Sequence, residues 1–175
     1  YHGALARRGL ATLCLDSASH GVDLSPPEIA GLSQLLGTIG AEPFGDALTD
    51  NRSLDHDGNG IEDSGADYWT AYAFHTRDVV RQTALDYMQL VRLLRSWDGE
   101  RTWDVGGGGI AGDFDGDGKV DIGGDAMLTM TGSSLGGIMS AVMAGIEPQL
   151  SATVPVAGGA GLSDIGNRSL QGGVR

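Results

Sequence analysis

An apolar run with strand character, residues 126–131, leads directly into Gly132-Ser133-Ser134-Leu135-Gly136-Gly137, and small and apolar residues continue over 138–144 with the character of a helix. The G-x-S-x-G pattern belongs to a tight strand-to-helix turn that raises its serine at the carboxyl end of a sheet. It is a strong constraint, because a strand must enter and a helix must leave. Only a layered α/β arrangement offers both. With 30 glycines in 175 residues the bare pattern carries little weight, so its flanks decide. Gly132, Gly136 and Gly137 remove side chains where such a turn is crowded. Ser134, and not Ser133, has a glycine two residues away on either side.

The rest of the chain fits that class. The apolar run 10–15 ends at Asp16 and predicts a strand buried on both faces of a parallel sheet, with Cys14 a buried, inert thiol. Residues 151–157 predict another strand. The opening residues, Tyr1 to Gly9, read as the second half of a helix capped by Gly9, so the chain is expected to begin within a domain. Ser25-Pro26-Pro27-Glu28 places an N-cap serine, prolines in the first turn and a Glu at the third position. The helix it opens carries an apolar stripe of Ile29, Leu32, Leu35 and Leu36, and Gly37 or Gly40 ends it. Residues 71–97 predict the longest helix, with Val80, Ala84, Tyr87, Val91 and Leu94 on one face. The expected organisation is one α/β domain over 1–175, with an insertion at 22–68.

Two Asp-rich segments repeat one pattern. Asp113, Asp115, Asp117 and Asp121 stand at positions one, three, five and nine of a loop over 113–125, with Gly118 at six and the Lys119 carbonyl at seven. Asp55, Asp57, Asn59 and Asp63 stand at the same positions of an earlier loop inside the insertion, with Gly60 at six and the Ile61 carbonyl at seven. Hard oxygen donors at alternate positions around a glycine turn are what Ca²⁺ selects in EF-hand-type loops. Position twelve is Gly124 in one and Ala66 in the other. Asp125 and Asp67 each follow one residue late. Two structural calcium ions are therefore expected, and with them an extracellular or cell-surface location where calcium is abundant.

Charge excludes other partners. The formal net charge is -12, so a phosphate backbone repels this chain and nucleic acid is not an expected partner. No apolar run is long enough to span a bilayer. At the serine turn, the Leu135 backbone N–H and the helix dipole behind it suit a developing oxyanion, with Ser134 attacking an acyl carbon.

The strand 10–15 followed by Asp16 and His20-Gly21, the long helix, and the stretch from Thr131 to Gly137 together resemble the α/β-hydrolase fold. In flavour they are similar to bacterial extracellular lipases and esterases. The resemblance implies a mostly parallel sheet flanked by helices, here lacking the first strands and the C-terminal strands. It also implies hydrolysis of a small-molecule or lipid ester through an acyl-enzyme on Ser134. In that family the triad runs Ser, acid, His along the chain, whereas His2, His20, His56 and His75 all precede Ser134. The triad partners are thus expected beyond residue 175, with Asp164 read as a surface residue. The helix over 29–36 would cap an acyl-chain site. A calcium-binding structural or adhesive module without catalysis is the competing reading.

Overall fold

The strongest local signal forms the sheet-bearing part of the fold. In the computed structural model, β1 (Thr129–Ser133) runs into Ser134, and α4 (Leu135–Ile146) starts at the next residue. The chain returns through β2 (Ala152–Val156), which pairs in parallel with β1 in the register Thr129 to Ala152 through Ser133 to Val156. The helix packs on both strands. It buries Ile138, Met139, Ser140 and Met143, and each fully buried methionine contributes roughly 1.5–3 kcal/mol. Ser140 is tolerated in that face because its hydroxyl donates to the Gly136 carbonyl at 2.8 Å.

The structure describes residues 2–21, 24–42, 45, 52–63, 65, 68, 72–103, 108–159 and 161–168. Besides the strand–helix–strand element it contains α1 (His2–Ala6), α2 (Pro26–Thr38), α3 (Ala73–Arg95) and α5 (Leu162–Arg168). The architecture is mixed α/β with a two-stranded parallel sheet among the described residues. No helix among them is long and apolar enough to cross a membrane.

The chain divides into two compact units, Tyr1–Leu15 with Ala84–Ala160, and Asp16–Thr83 with Gly161–Arg175. The first holds the sheet and a core of Leu94, Trp97 and Ala111, against which Leu90, Trp103, Val120, Ile122 and Leu128 pack. In the second, Leu36, Tyr68, Val79, Val80 and Thr83 are buried. The Thr83 hydroxyl donates to Val79 O at 2.9 Å and accepts the Ala18 N–H at 3.2 Å, so this buried hydroxyl is satisfied.

The expected helix ends are present. Gly9 N–H to Ala6 O (2.9 Å) with Leu10 N–H to Leu5 O (3.1 Å) closes α1, and Gly40 N–H to Gly37 O with Ala41 N–H to Leu36 O closes α2. Both are the paired bonds of a Schellman stop, with the glycine at positive φ. Val80, Ala84, Val91 and Leu94 of α3 are buried and Tyr87 is half-buried, as the stripe requires.

Three expectations are corrected. Residues 10–15 are not a strand. Leu10 and Leu13 are 44% and 52% exposed, and Cys14 is an exposed thiol. A buried strand needs a ladder on each side, and among the described residues the sheet has only the strands β1 and β2. The run is held instead by single bonds: the Tyr87 hydroxyl donates to Leu15 O at 3.3 Å, and His2 Nδ1 lies 3.0 Å from the Thr12 hydroxyl. On α2, Leu36 is buried and Leu32 half-buried, but Ile29 and Leu35 are exposed, so the stripe is only half used. The strand expected over 126–131 begins three residues later. Pairing with β2 starts at Ala152, and Ala126 O is taken by the Arg95 guanidinium at 2.6 Å.

Candidate functional site

Ser134 sits where β1 stops and α4 begins. Its backbone has φ 55 and ψ -113, and its side chain makes no capping hydrogen bond to the helix. An N-cap residue has ordinary extended φ and ψ, so this serine is not serving as a cap. A non-glycine residue held in such a region costs on the order of 1–3 kcal/mol and persists only where its surroundings over-determine it.

The surroundings are identifiable. The Ser134 N–H donates to Val156 O at 2.9 Å, and the Ile138 N–H returns to Ser134 O at 3.0 Å. A Cβ added at Gly132 would collide with the Gly136 backbone, whose Cα lies 2.7 Å away. One added at Gly137 would lie 2.5 Å from Val156 O and 2.9 Å from the Gly158 Cα. Gly136, by contrast, faces open space. That corrects the expectation that its own side chain would clash; what matters is the room its backbone leaves for Gly132. The turn is therefore sterically specified from both strands. Ser134 is exposed and Leu135 half-buried, and the Leu135 N–H belongs to the first turn of α4, where amides have no helical acceptor.

The two Asp-rich loops share one framework of hydrogen bonds. At position one, Asp113 accepts Gly116 N–H (2.7 Å) and Gly118 N–H (2.9 Å), and Asp55 accepts Gly58 N–H and Gly60 N–H, both at 2.8 Å. At position three, Asp115 accepts Asp117 N–H and Asp57 accepts Asn59 N–H, each at 3.0 Å. The residue at five then accepts the N–H at seven, Lys119 to Asp117 at 2.9 Å and Ile61 to Asn59 at 2.7 Å. The carboxylate at nine accepts the N–H at two, Phe114 to Asp121 at 2.8 Å and His56 to Asp63 at 3.0 Å. The Gly60 N–H, foremost among these donors, holds the Asp55 carboxyl below the usual carboxylate range.

Carboxylate oxygens of Asp55, Asp57 and Asp63 lie within 4.8 Å of one another, and so do those of Asp113, Asp115 and Asp117. Oxygens bound to one ion at 2.3–2.6 Å lie no farther than about 5 Å apart, so each trio could hold a metal ion. Exposed carboxylates also cluster without one. Asp121 is not in the second trio, and the Lys119 ammonium lies 3.0 Å from Asp117.

The departure at position twelve has a cause in the second loop. A Cβ at Gly123 would lie 2.6 Å from Leu94 O, and one at Gly124 would lie 2.8 Å from Trp97 O. The end of the loop is thus pressed on the end of α3, and a carboxylate cannot replace Gly124. In the first loop Ala66 and Asp67 lie outside the described residues, as do Gly106 and Gly107 of the glycine run before the second. Asp164 lies in the first turn of α5, exposed and 3.4 Å from Arg168, in keeping with a surface residue.

Sequence reasoning missed the β2 side of the serine turn. Ala157 has φ 50, and a Cβ at Gly158 would lie 2.6 Å from the Gly137 carbonyl carbon. The signal was a run of small residues, Ala157-Gly158-Gly159, directly after an apolar strand. No family model, curated protein or solved structure matches the chain.

Proposed function

We propose that this chain carries the nucleophile of a serine hydrolase of the α/β-hydrolase type, acting on carboxylic esters. The observation that carries the reading is the backbone of Ser134 at φ 55 and ψ -113, at a strand–helix junction, with its hydroxyl unused as a cap. Such strain clusters at active sites and persists only where the surroundings over-determine it.

In this reading Ser134 Oγ attacks the acyl carbon, and the new C–O bond places the carbonyl electrons on an oxyanion that accepts the Leu135 N–H. Collapse expels the alcohol, which takes up the hydroxyl proton. Water then cleaves the acyl-enzyme and restores Ser134. The base that relays the proton is assigned to no residue of this sequence. The sheet belongs, on this reading, to a larger, mostly parallel one with flanking helices, and the substrate is a small-molecule or lipid ester.

The Asp-rich loops bind Ca²⁺ through Asp55, Asp57, Asn59, Asp63 and the Ile61 carbonyl, and through Asp113, Asp115, Asp117, Asp121 and the Lys119 carbonyl. The ions fasten long connections and take no part in the chemistry, which suits a secreted protein.

Labelling of the full chain with a fluorophosphonate, followed by peptide mapping, tests the nucleophile. Modification at Ser134 is expected in a protein long enough to carry the triad acid and His, and a folded protein of that length left unlabelled refutes the reading. Calorimetric titration with Ca²⁺ tests the loops separately; the shared hydrogen-bond pattern favours binding at both. Calcium binding without labelling would favour the non-catalytic scaffold.

A further inference from the structure

We infer that Ala157 and Gly158, at the end of β2, are positioning residues that hold Ser134 in its reactive backbone conformation; the inference rests on Ser134 being the nucleophile. Neither residue belongs to the serine motif, and neither needs to touch a substrate.

The argument begins with the strain at Ser134. Between β1 and α4 the close approach of Gly132 to the Gly136 backbone shapes the turn, but neither element bonds the Ser134 N–H, and a helix-opening residue ordinarily takes extended φ and ψ. Two constraints come from β2. Val156 O accepts the Ser134 N–H at 2.9 Å, which fixes one end of the strained residue. Gly158 lies backbone to backbone on Gly137 in the first turn of α4; a Cβ on Gly158 would lie 2.6 Å from Gly137 C, 2.8 Å from Gly137 O and 2.9 Å from Ile138 N. The first turn of the helix is thereby seated against the strand end, and Ser134 is caught between two fixed points.

Ala157 joins those two contacts. For Val156 O to reach Ser134 while Gly158 reaches Gly137, the chain must turn sharply in one residue, and it does so with Ala157 at φ 50. Alanine in this region occupies a small basin with little freedom inside it, whereas glycine roams widely. An alanine here makes the turn stiff as well as sharp. Strain on one side of the sheet end thus opposes strain on the other, the over-determination such a serine requires.

The test compares fluorophosphonate labelling rates and steady-state ester hydrolysis for the full chain and its variants. In a parent protein long enough to carry the triad partners, labelling at Ser134 establishes the nucleophile, and its absence overturns the nucleophile reading itself. Given that labelling, Gly158→Ala is expected to lower its rate and kcat by about 100-fold with KM little changed. Amide exchange should quicken at Ser134 while the middle of α4 stays protected. Ala157→Gly adds no atoms and is expected to fold; it should slow labelling several-fold by loosening the turn. Gly145→Ala, in the same helix where a Cβ meets nothing within 4 Å, should label at the parent rate. Parent-like labelling by folded Gly158→Ala overturns the inference. If that variant does not fold, parent-like labelling by Ala157→Gly does so.

Discussion

Ser25 and Ser134 both stand immediately before a helix, yet they are used in opposite ways. Ser25 has φ -64 and ψ 154, the relaxed extended geometry of an N-cap. Its N–H and its hydroxyl both donate to Glu28 Oε2, at 2.8 and 2.5 Å. Ser134 has φ 55 and ψ -113 and no cap bond. At Ser25 the side chain serves the helix; at Ser134 the helix and two strands serve the side chain. A serine before a helix is therefore no evidence for either role until its backbone and its neighbours are known.

Four measurements break or sharpen this contrast. The largest effect is expected from Ser134→Ala, which should abolish fluorophosphonate labelling and lower ester hydrolysis by about three orders of magnitude or more. Its unfolding free energy should stay within about 0.5 kcal/mol of the parent's, because the hydroxyl caps nothing. Undiminished hydrolysis by this variant ends the enzyme reading. Next comes Ser25→Ala, expected to cost about 1 kcal/mol of stability in urea unfolding, with hydrolysis unaltered. A variant as stable as the parent would show that the capping bonds contribute nothing.

Ser134→Gly should be stabilising by roughly 0.5–1 kcal/mol, since glycine takes positive φ without the Cβ penalty. Destabilisation there would mean that the strain has been misjudged. The smallest effect is in pH. The Ser25 hydroxyl, and after it the Ser25 N–H, hold the Glu28 carboxyl below its ordinary value. Its folded pKa is depressed, so its contribution is fully present above the unfolded value, about 4.3. It is lost as pH falls through the lower folded value. Titration of Glu28 by NMR should show the depressed midpoint in the parent and a return toward the ordinary range in Ser25→Ala. Equal midpoints would remove Ser25 as the cause.

Much of this was legible along the chain. The capping box at Ser25, the stops at Gly9 and Gly40 and the packed face of α3 follow from short-range backbone chemistry, and such features stand where the residues place them. The loops were legible for the same reason, since each donor and acceptor lies within seven residues of its partner. The failures concern partners distant in sequence. Residues 10–15 have the composition of a buried strand, but among the described residues no strand pairs with them, and a strand exists only through its neighbour. Gly124 breaks the loop pattern because the end of α3 occupies the space a side chain needs.

The sequence by itself determined the local stops and starts, the order strand, serine turn, helix, strand, and the doubled arrangement of acidic donors, because each depends on steric and hydrogen-bond rules acting over a few residues. The tertiary structure alone decided which glycines are indispensable, that Cys14 is exposed, and that Ser134 is held away from a capping geometry from the far strand. Those depend on which backbone lies against which. Gly132 and Gly136 look alike in the motif, yet a Cβ on the first is impossible and on the second meets nothing within 4 Å.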